Sequence, residues 1–101
     1  MAQGYALGMI EAIGLTAAAA ALDAGLKAAD VKCAGVEKVI GVDKNISVTV
    51  NFIGEVAAVQ AAVESGVEAA SRIGRVAAHH VLPRPHEEIE LLLNQFYKHK
   101  L

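Results

Sequence analysis

The chain has 101 residues and a mass of 10.5 kDa, the usual size of one domain with one core, so we predict a single domain over residues 1–101. Hydrophobic residues make up 54% of the chain but aromatic residues only 4%, so we expect small side chains that let the elements approach closely. A formal net charge of -2 is too balanced for a surface that binds a polyanion, which argues against a nucleic-acid partner.

The longest uncharged segment covers residues 12–22, which is shorter than the roughly 20 apolar residues that cross a bilayer. No Lys or Arg precedes this segment, so it also lacks the pattern of a secretory signal peptide. We therefore expect a cytoplasmic protein with no membrane partner. Cys33 is the only cysteine and has no second thiol for a disulfide or a metal site, so we expect a small buried residue.

The first part of the chain predicts a strand followed by a helix. An apolar run over residues 4–11 is typical of a buried strand, and residues 15–29 follow with helical spacing. The polar side chains of this helix form a narrow stripe, so we expect the helix to be buried nearly all round. Asp23 and Lys27 on that stripe have i, i+4 spacing in the favourable acid-first order, which gives Lys27 a local partner.

The middle of the chain predicts a hairpin and a second helix. Residues 31–39 and 47–53 alternate and are rich in β-branched side chains, which is typical of paired strands. The expected loop between them contains Gly41, Val42, Asp43, Lys44 and Asn45. Residues 55–73 then place polar side chains on one helical face and apolar side chains on the other.

The last predicted strand, residues 76–82, stops at Pro83 because proline cannot donate to a sheet. The order strand, helix, strand, strand, helix, strand is that of the ferredoxin-like split β-α-β-β-α-β fold of the α+β class. It predicts a four-stranded antiparallel sheet with helices on one face, and a core over residues 4–83. The tail over residues 86–100 has apolar residues at helical spacing and predicts a short C-terminal helix.

The four histidines do not predict a metal site. His79 and His80 are neighbours on a strand, so their side chains point to opposite faces of the sheet. His86 fits a helix start and His99 fits a chain end. Since no Ser or Cys lies in a nucleophile motif and the glycines form no phosphate-binding loop, we expect neither catalytic residues nor a cofactor.

Two broader classes of function can be compared at this point. RNA-recognition domains share this order of elements, but Phe52 is the only aromatic residue in either hairpin strand and excess basic charge is missing. A single sheet with helices on one face leaves its other face and both helix edges uncovered. An alanine-rich domain of this kind, without a site of its own, indicates a module that associates with copies of itself.

Four segments carry a resemblance to a known family: ALGMIEAIGL (6–15), LDAGLKAADV (22–31), GEVAAVQAAVESG (54–66) and HVLPRPH (80–86). Over roughly residues 5–90 the chain resembles the hexameric shell proteins of bacterial microcompartments. The resemblance implies a structural protein rather than an enzyme, located in the compartment shell. Its main partner would be itself, as a homohexamer that tiles edge to edge with other shell proteins around encapsulated enzymes. A central pore would pass small metabolites.

The resemblance also implies roles at the hexamer edge for two residues. Lys27 matches the lysine of the family's Lys-Ala-Ala segment, and Arg84 matches the arginine of its Pro-Arg-Pro-His segment. A guanidinium can donate to carbonyl groups across such a seam, and a lysine stem can lie flat against its symmetry mate. The alternatives are a plain turn residue for Arg84 and the local pair with Asp23 for Lys27.

The family's pore is made by the loop between the second and third strands, usually a short glycine and serine run. This chain departs there, since its loop is longer and carries Asp43 and Lys44. Six copies of one charge at an axis are costly unless the two residues pair or the pore is wide and wet. Three interpretations of the loop therefore stay open. It forms a polar, ion-paired pore, or it is flexible and the ring is less regular, or it is a solvent-exposed hairpin turn. With this loop, the resemblance favours compartments of glycyl-radical enzymes that consume choline or propanediol.

The C-terminal helix has two interpretations. We favour packing on its own domain over the alternative, in which Ile89, Leu93 and Phe96 contact cargo or a neighbouring tile. A different function for the whole chain also stays open, namely a ferredoxin-like regulatory module that binds a small ligand between the subunits of a smaller oligomer. A native mass of six chains favours the shell protein, whereas a dimer or trimer favours the regulator.

Overall fold

The structure, a computed structural model, describes residues 5–42 and 45–96. The elements in chain order are β1 (Ala6–Ile13), α1 (Leu15–Ala28), β2 (Lys32–Val42), β3 (Asn45–Gly54), α2 (Val56–Ile73), β4 (Arg75–Leu82) and α3 (Ile89–Phe96). The four strands form one antiparallel sheet in the order β2-β3-β1-β4. This is the topology of the ferredoxin-like split β-α-β-β-α-β fold, so the predicted fold class is confirmed.

The main core lies between one face of the sheet and the helices α1 and α2. Along β1 the side chains alternate between the two faces, as the period of a strand requires. Ala6 belongs to the main core, whereas the next residue, Leu7, belongs to a second, smaller cluster on the opposite face. The buried residues of the main core are Ala6, Ile10, Ala12, Ala17, Ala18, Ala21, Val48, Val50, Phe52, Val59, Ala62, Val63 and Ala70.

Small residues bring the backbones of α1, α2 and the sheet close together. A β-carbon at Gly66 in α2 would lie 2.8 Å from the carbonyl oxygen of Ala21 in α1 and 2.6 Å from Cδ1 of Ile10 in β1. Both distances are shorter than packed atoms tolerate, so only glycine fits at this crossing. The alanine-rich, aromatic-poor composition is therefore what allows the three elements to meet.

One expectation about α1 is wrong, because the helix is not buried nearly all round. Leu15 is 71% exposed, and Ala19 and Leu26 are also exposed on the same side of the helix. The reason is that α1 has one sheet and one neighbouring helix to pack on, which together cover only part of its circumference. Cys33 was expected to be buried and is instead exposed, since β2 is an edge strand of the sheet.

The hairpin strands are longer than expected. β2 continues to Val42 and β3 begins at Asn45, and these two residues pair with each other. Gly41, Val42 and Asn45 are therefore strand residues rather than loop residues. Of the expected loop only Asp43 and Lys44 are not assigned to a strand, and both lie outside the described residues.

The C-terminal helix α3 lies on the face of the sheet opposite α1 and α2. Its first residue, Ile89, packs on the smaller cluster formed by Leu7, Met9, Ile53 and Leu82. This contact supports the interpretation that α3 packs on its own domain. The side chains of Leu93 and Phe96 lie outside the described part of the chain.

Candidate assembly surfaces

The topology places the two predicted edge residues at one end of the sheet. Ala6 at the start of β1 pairs with Gly54 at the end of β3, and the antiparallel strand β4 also ends beside the start of β1. α1 ends on the same side, with Lys27 in its last turn, and Arg84 lies two residues after the end of β4. We call this region the Lys27–Arg84 end. The tip of the β2–β3 hairpin lies at the opposite end of the sheet.

Lys27 forms the local ion pair that its spacing predicts. Its Nζ atom lies 3.0 Å from Oδ2 of Asp23, and the Lys27 side chain is 75% exposed. An exposed pair of this kind contributes little to stability, and an ammonium group has three donors. The pair with Asp23 therefore leaves Lys27 able to donate to a second group.

Arg84 is exposed in the segment between Pro83 and Pro85. Each proline fixes its own φ angle, and Pro85 also restricts Arg84 to extended conformations. The guanidinium is thus presented from a stiff segment rather than from a flexible loop. This geometry suits a donor fork that must meet carbonyl or carboxylate groups at a fixed position.

The hairpin projects beyond the rest of the sheet. The last pair between β1 and β3 joins Ile13 to Ser47, whereas β2 and β3 continue past it with the pair Ile40–Ile46. The amide of Gly14 donates to the carbonyl of Ile46 at 2.7 Å, which fixes the base of this extension. The extension is therefore built from paired strands, with one shift in register between Ile40 and Val42.

The projecting end of the sheet is apolar. Ile40 is 72% exposed and Ile46 is 44% exposed, and they share the helix-side face of the sheet. Leu15, at the start of α1, and Ile73, at the end of α2, are exposed at the same end. We call these four residues the hairpin patch. Apolar groups that cluster on the surface of a single chain indicate a contact with another molecule.

The hairpin patch was not predicted from the sequence. Its signal is the continued β-branched alternation of Ile40, Val42 and Ile46, which lie in or beside the expected loop. Ile73 also belongs to the apolar face that the helical period of α2 predicts, but its side chain, at the last residue of the helix, is 58% exposed.

The open face of the sheet carries a structural hydrogen bond. The buried hydroxyl of Ser47 donates to Oε2 of Glu11 at 2.7 Å, which holds this carboxylate in place. His79 pairs with Ile10 and His80 pairs with Met9, so the two imidazoles lie on opposite faces, as predicted.

Three other features bear on the expectations about metals, membranes and nucleic acids. Within residues 5–42 and 45–96, no group of three or more His, Cys, Asp or Glu side chains is arranged to hold a metal ion. No helix in the described part of the chain has the length and apolar character needed to span a membrane. Phe52 is fully buried in the core, so its ring offers no surface on which a nucleic-acid base could stack.

Comparison with known proteins identifies the family. The family model of the BMC domain matches residues 6–85. The bacterial microcompartment shell protein PduA of Salmonella typhimurium is 47% identical over 91 residues, which cover 90% of this chain and 93% of PduA. The carboxysome shell protein CcmK2 of Synechococcus elongatus is 46% identical over 90 residues, covering 87% of this chain and 84% of CcmK2. The bacterial microcompartment shell protein EutM of Escherichia coli is 47% identical, covering 84% of each chain.

A solved structure agrees with these relatives. The crystal structure of a microcompartments protein from Desulfitobacterium hafniense matches with a TM-score of 0.77 and 27% identity, covering 90% of this chain and 49% of that one. This chain thus spans about half the length of that protein. PduA, CcmK2 and EutM are almost equally similar to this chain, so the identities lend no support to a particular encapsulated pathway, the glycyl-radical type included. The matched domain and these relatives show that the chain belongs to the BMC domain family, that of the bacterial microcompartment shell proteins.

Proposed function

We propose that the chain builds its shell as a cyclic hexamer with the hairpin end toward the six-fold axis and the Lys27–Arg84 end outward. The observation that carries this proposal is the placement of these two surfaces at opposite ends of one sheet. A subunit with an apolar inner end and a cationic outer end suits a ring whose contacts are heterologous and close on themselves.

The outer end would join hexamers into a layer. Arg84 is held between two prolines and Lys27 is exposed, so both can donate across a seam between neighbouring hexamers. An individual contact of this kind is weak, but each hexamer has six edges that act together. The resulting layer is stable while each contact stays reversible.

The hairpin would line the pore. Gly41, Val42 and Asn45 lie next to its tip, which contains Asp43 and Lys44. The strand ladder up to Val42 and Asn45 supports an ordered hairpin over a flexible loop. Burying Ile40 and Ile46 against the next subunit would hold the hairpin at the axis, leaving the charged tip for water and small metabolites.

In this proposal the partners are copies of the chain, other shell proteins of the same compartment and the encapsulated enzymes. The chain has a structural role, without catalytic residues or a cofactor, and works within the cell as part of the shell. The relatives support this role because they are named as shell proteins.

Native mass spectrometry and electron microscopy of the purified chain test the proposal. We expect a mass of six chains and extended layers for the wild type. Lys27→Ala and Arg84→Ala should keep the hexamer but lose the layers. Arg72→Ala is the matched control, since Arg72 also forms an exposed i, i+4 pair, with Glu68, but lies at the other end of the sheet. It should form layers like the wild type.

Two outcomes would contradict this proposal. A dimer or trimer that binds a small ligand between its subunits would favour the regulatory module instead. Normal layers from both Lys27→Ala and Arg84→Ala would remove the edge role while leaving the hexamer intact.

A further inference from the structure

An imidazole caps the turn that leads into α3. The amide of Glu88 donates to Nδ1 of His86 at 3.1 Å, and the amide of Ile89 donates to the carbonyl of His86 at 2.9 Å. His86 therefore closes the turn through which the chain enters the helix at Ile89, and its side-chain acceptor satisfies an otherwise unpaired amide of that turn. Nδ1 can accept this bond only when it carries no proton.

The attachment of α3 to the sheet is slight. The helix has eight residues, which is too short for a helix to persist in water without tertiary contacts. Ile89 packs on the cluster around Leu7, whereas Leu91 is 69% exposed and Leu92 is also exposed. Ile89 is thus the apolar side chain of α3 that packs on this cluster, and the cap at His86 fixes the turn before it.

We propose that α3 is a pH-sensitive strap over the open face of the sheet, locked by the neutral imidazole of His86. A proton on Nδ1 removes the acceptor from the cap and places a positive charge at the positive end of the helix. The strap is therefore docked at higher pH and loosens as the pH falls. Since histidine changes charge between about pH 5 and 8, the change falls in the physiological range. Loosening uncovers the apolar surface of Leu7, Met9 and Leu82.

Several charged groups lie near His86 and accompany it in any pH experiment. On its own segment these are the carboxylates Glu87, Glu88 and Glu90 and the guanidinium of Arg84. On the sheet beneath α3, Lys32 lies beside Ile53, and His80 lies beside Met9. His80 is thus the second imidazole whose titration must be separated from that of His86.

Nuclear magnetic resonance of the assembled full chain tests the strap. The readouts are the δ1-methyl shift of Ile89, which reports docking, and the amide protection factor of Leu91, whose amide donates to Glu88 at 3.1 Å. From pH 8 to pH 5 we expect the wild-type protection factor, corrected for intrinsic exchange, to fall about fivefold, the effect of losing one helix cap. The Ile89 methyl should move toward its position in a free helix.

Three variants make the result specific to His86. His86→Asn keeps a capping oxygen that does not titrate, so its protection should stay high at both pH values. His86→Ala has no cap and should show low protection at both. His80→Gln should titrate like the wild type. The proposal is overturned if His86→Asn loses protection as the wild type does, if His80→Gln abolishes the change, or if wild-type protection does not vary with pH.

Discussion

Gly25 of α1 lies directly against the ring of Phe52 in β3. A β-carbon at Gly25 would lie 2.8 Å from Cε1 of that ring and 3.1 Å from the carbonyl oxygen of Ala62 in α2. The glycine therefore sets the distance at which helix, sheet and second helix meet. Phe52, the largest fully buried side chain of the chain's described part, fills the space that this approach leaves.

Gly25→Ala should destabilise the fold even though alanine is the better helix former. The gain in helix propensity is about 1 kcal/mol, whereas an extra methyl group forced into a packed core costs typically 1–3 kcal/mol. The ring and the backbone oxygen both resist displacement, so we expect the cost to exceed the gain, with a net loss of up to about 2 kcal/mol. Thermal unfolding at one fixed protein concentration measures it, as a Tm lowered by roughly 4–8 °C for each kcal/mol.

The double variant Gly25→Ala/Phe52→Leu provides the control. If the ring is what the new methyl group meets, the smaller leucine relieves part of the clash, and the double variant is more stable than the sum of the single changes allows. Strictly additive losses would show that the ring and Gly25 are not coupled.

Ser47→Ala should cost about 1–2 kcal/mol, because it removes a buried donor from the Glu11 carboxylate. Chemical unfolding of the variant gives this loss directly. Glu11→Gln is the matched change, since its amide oxygen still accepts from the hydroxyl, and we expect a smaller loss from it. A stability of Ser47→Ala equal to that of the wild type would argue that the hydrogen bond contributes nothing.

Asp23→Ala separates the two interpretations of Lys27. The change removes the local partner at 3.0 Å, and the loss of an exposed pair should lower the free energy of unfolding by less than about 0.5 kcal/mol. If Lys27 acts between hexamers, electron microscopy should still show layers. Loss of layers on Asp23→Ala, with Tm unchanged, would show instead that the local pair positions the edge.

Ile40→Thr tests the inner end of the subunit. The side chain is 72% exposed in the single chain, so the fold should keep its stability, while a ring that buries it should weaken. Burying an isoleucine contributes about 1.5–3 kcal/mol, so we expect dissociation of the hexamer at protein concentrations at least tenfold higher than for the wild type. Native mass measurements over a dilution series show this shift. Leu91→Gln, an equally exposed site on α3, should leave the dilution profile unchanged.

The order of the elements could be predicted because it depends on local periodicity, which the sequence displays. The Asp23–Lys27 pair and the opposite faces of His79 and His80 follow from the geometry of one helix and one strand, and both are confirmed. The exposure of Leu15 could not be predicted in the same way, since periodicity shows that a face is apolar but not whether anything covers it.

The length of the hairpin was underestimated for a different reason. The clear alternation that predicts strands covers residues 31–39 and 47–53, so the prediction left Gly41 and Asn45 in the loop although Ile40 and Ile46, both β-branched, flank it. In the structure the cross-strand pairing continues through them to Val42 and Asn45. The place of His86 at the start of the C-terminal helix, by contrast, was predicted, because the residue follows Pro85 and precedes the helical spacing of the tail.

The pairing of Ile40 with Ile46 limits how this hairpin can change in length. Successive strand residues point to opposite faces, so deleting or inserting one residue on each strand at its base would turn both isoleucines to the other side. Adding or removing two residues on each strand keeps the faces and only alters how far the tip reaches. Variants of this protein with shortened or lengthened hairpins should therefore be built in steps of two residues per strand. The distance that the hairpin extends beyond the sheet can then change only in these steps.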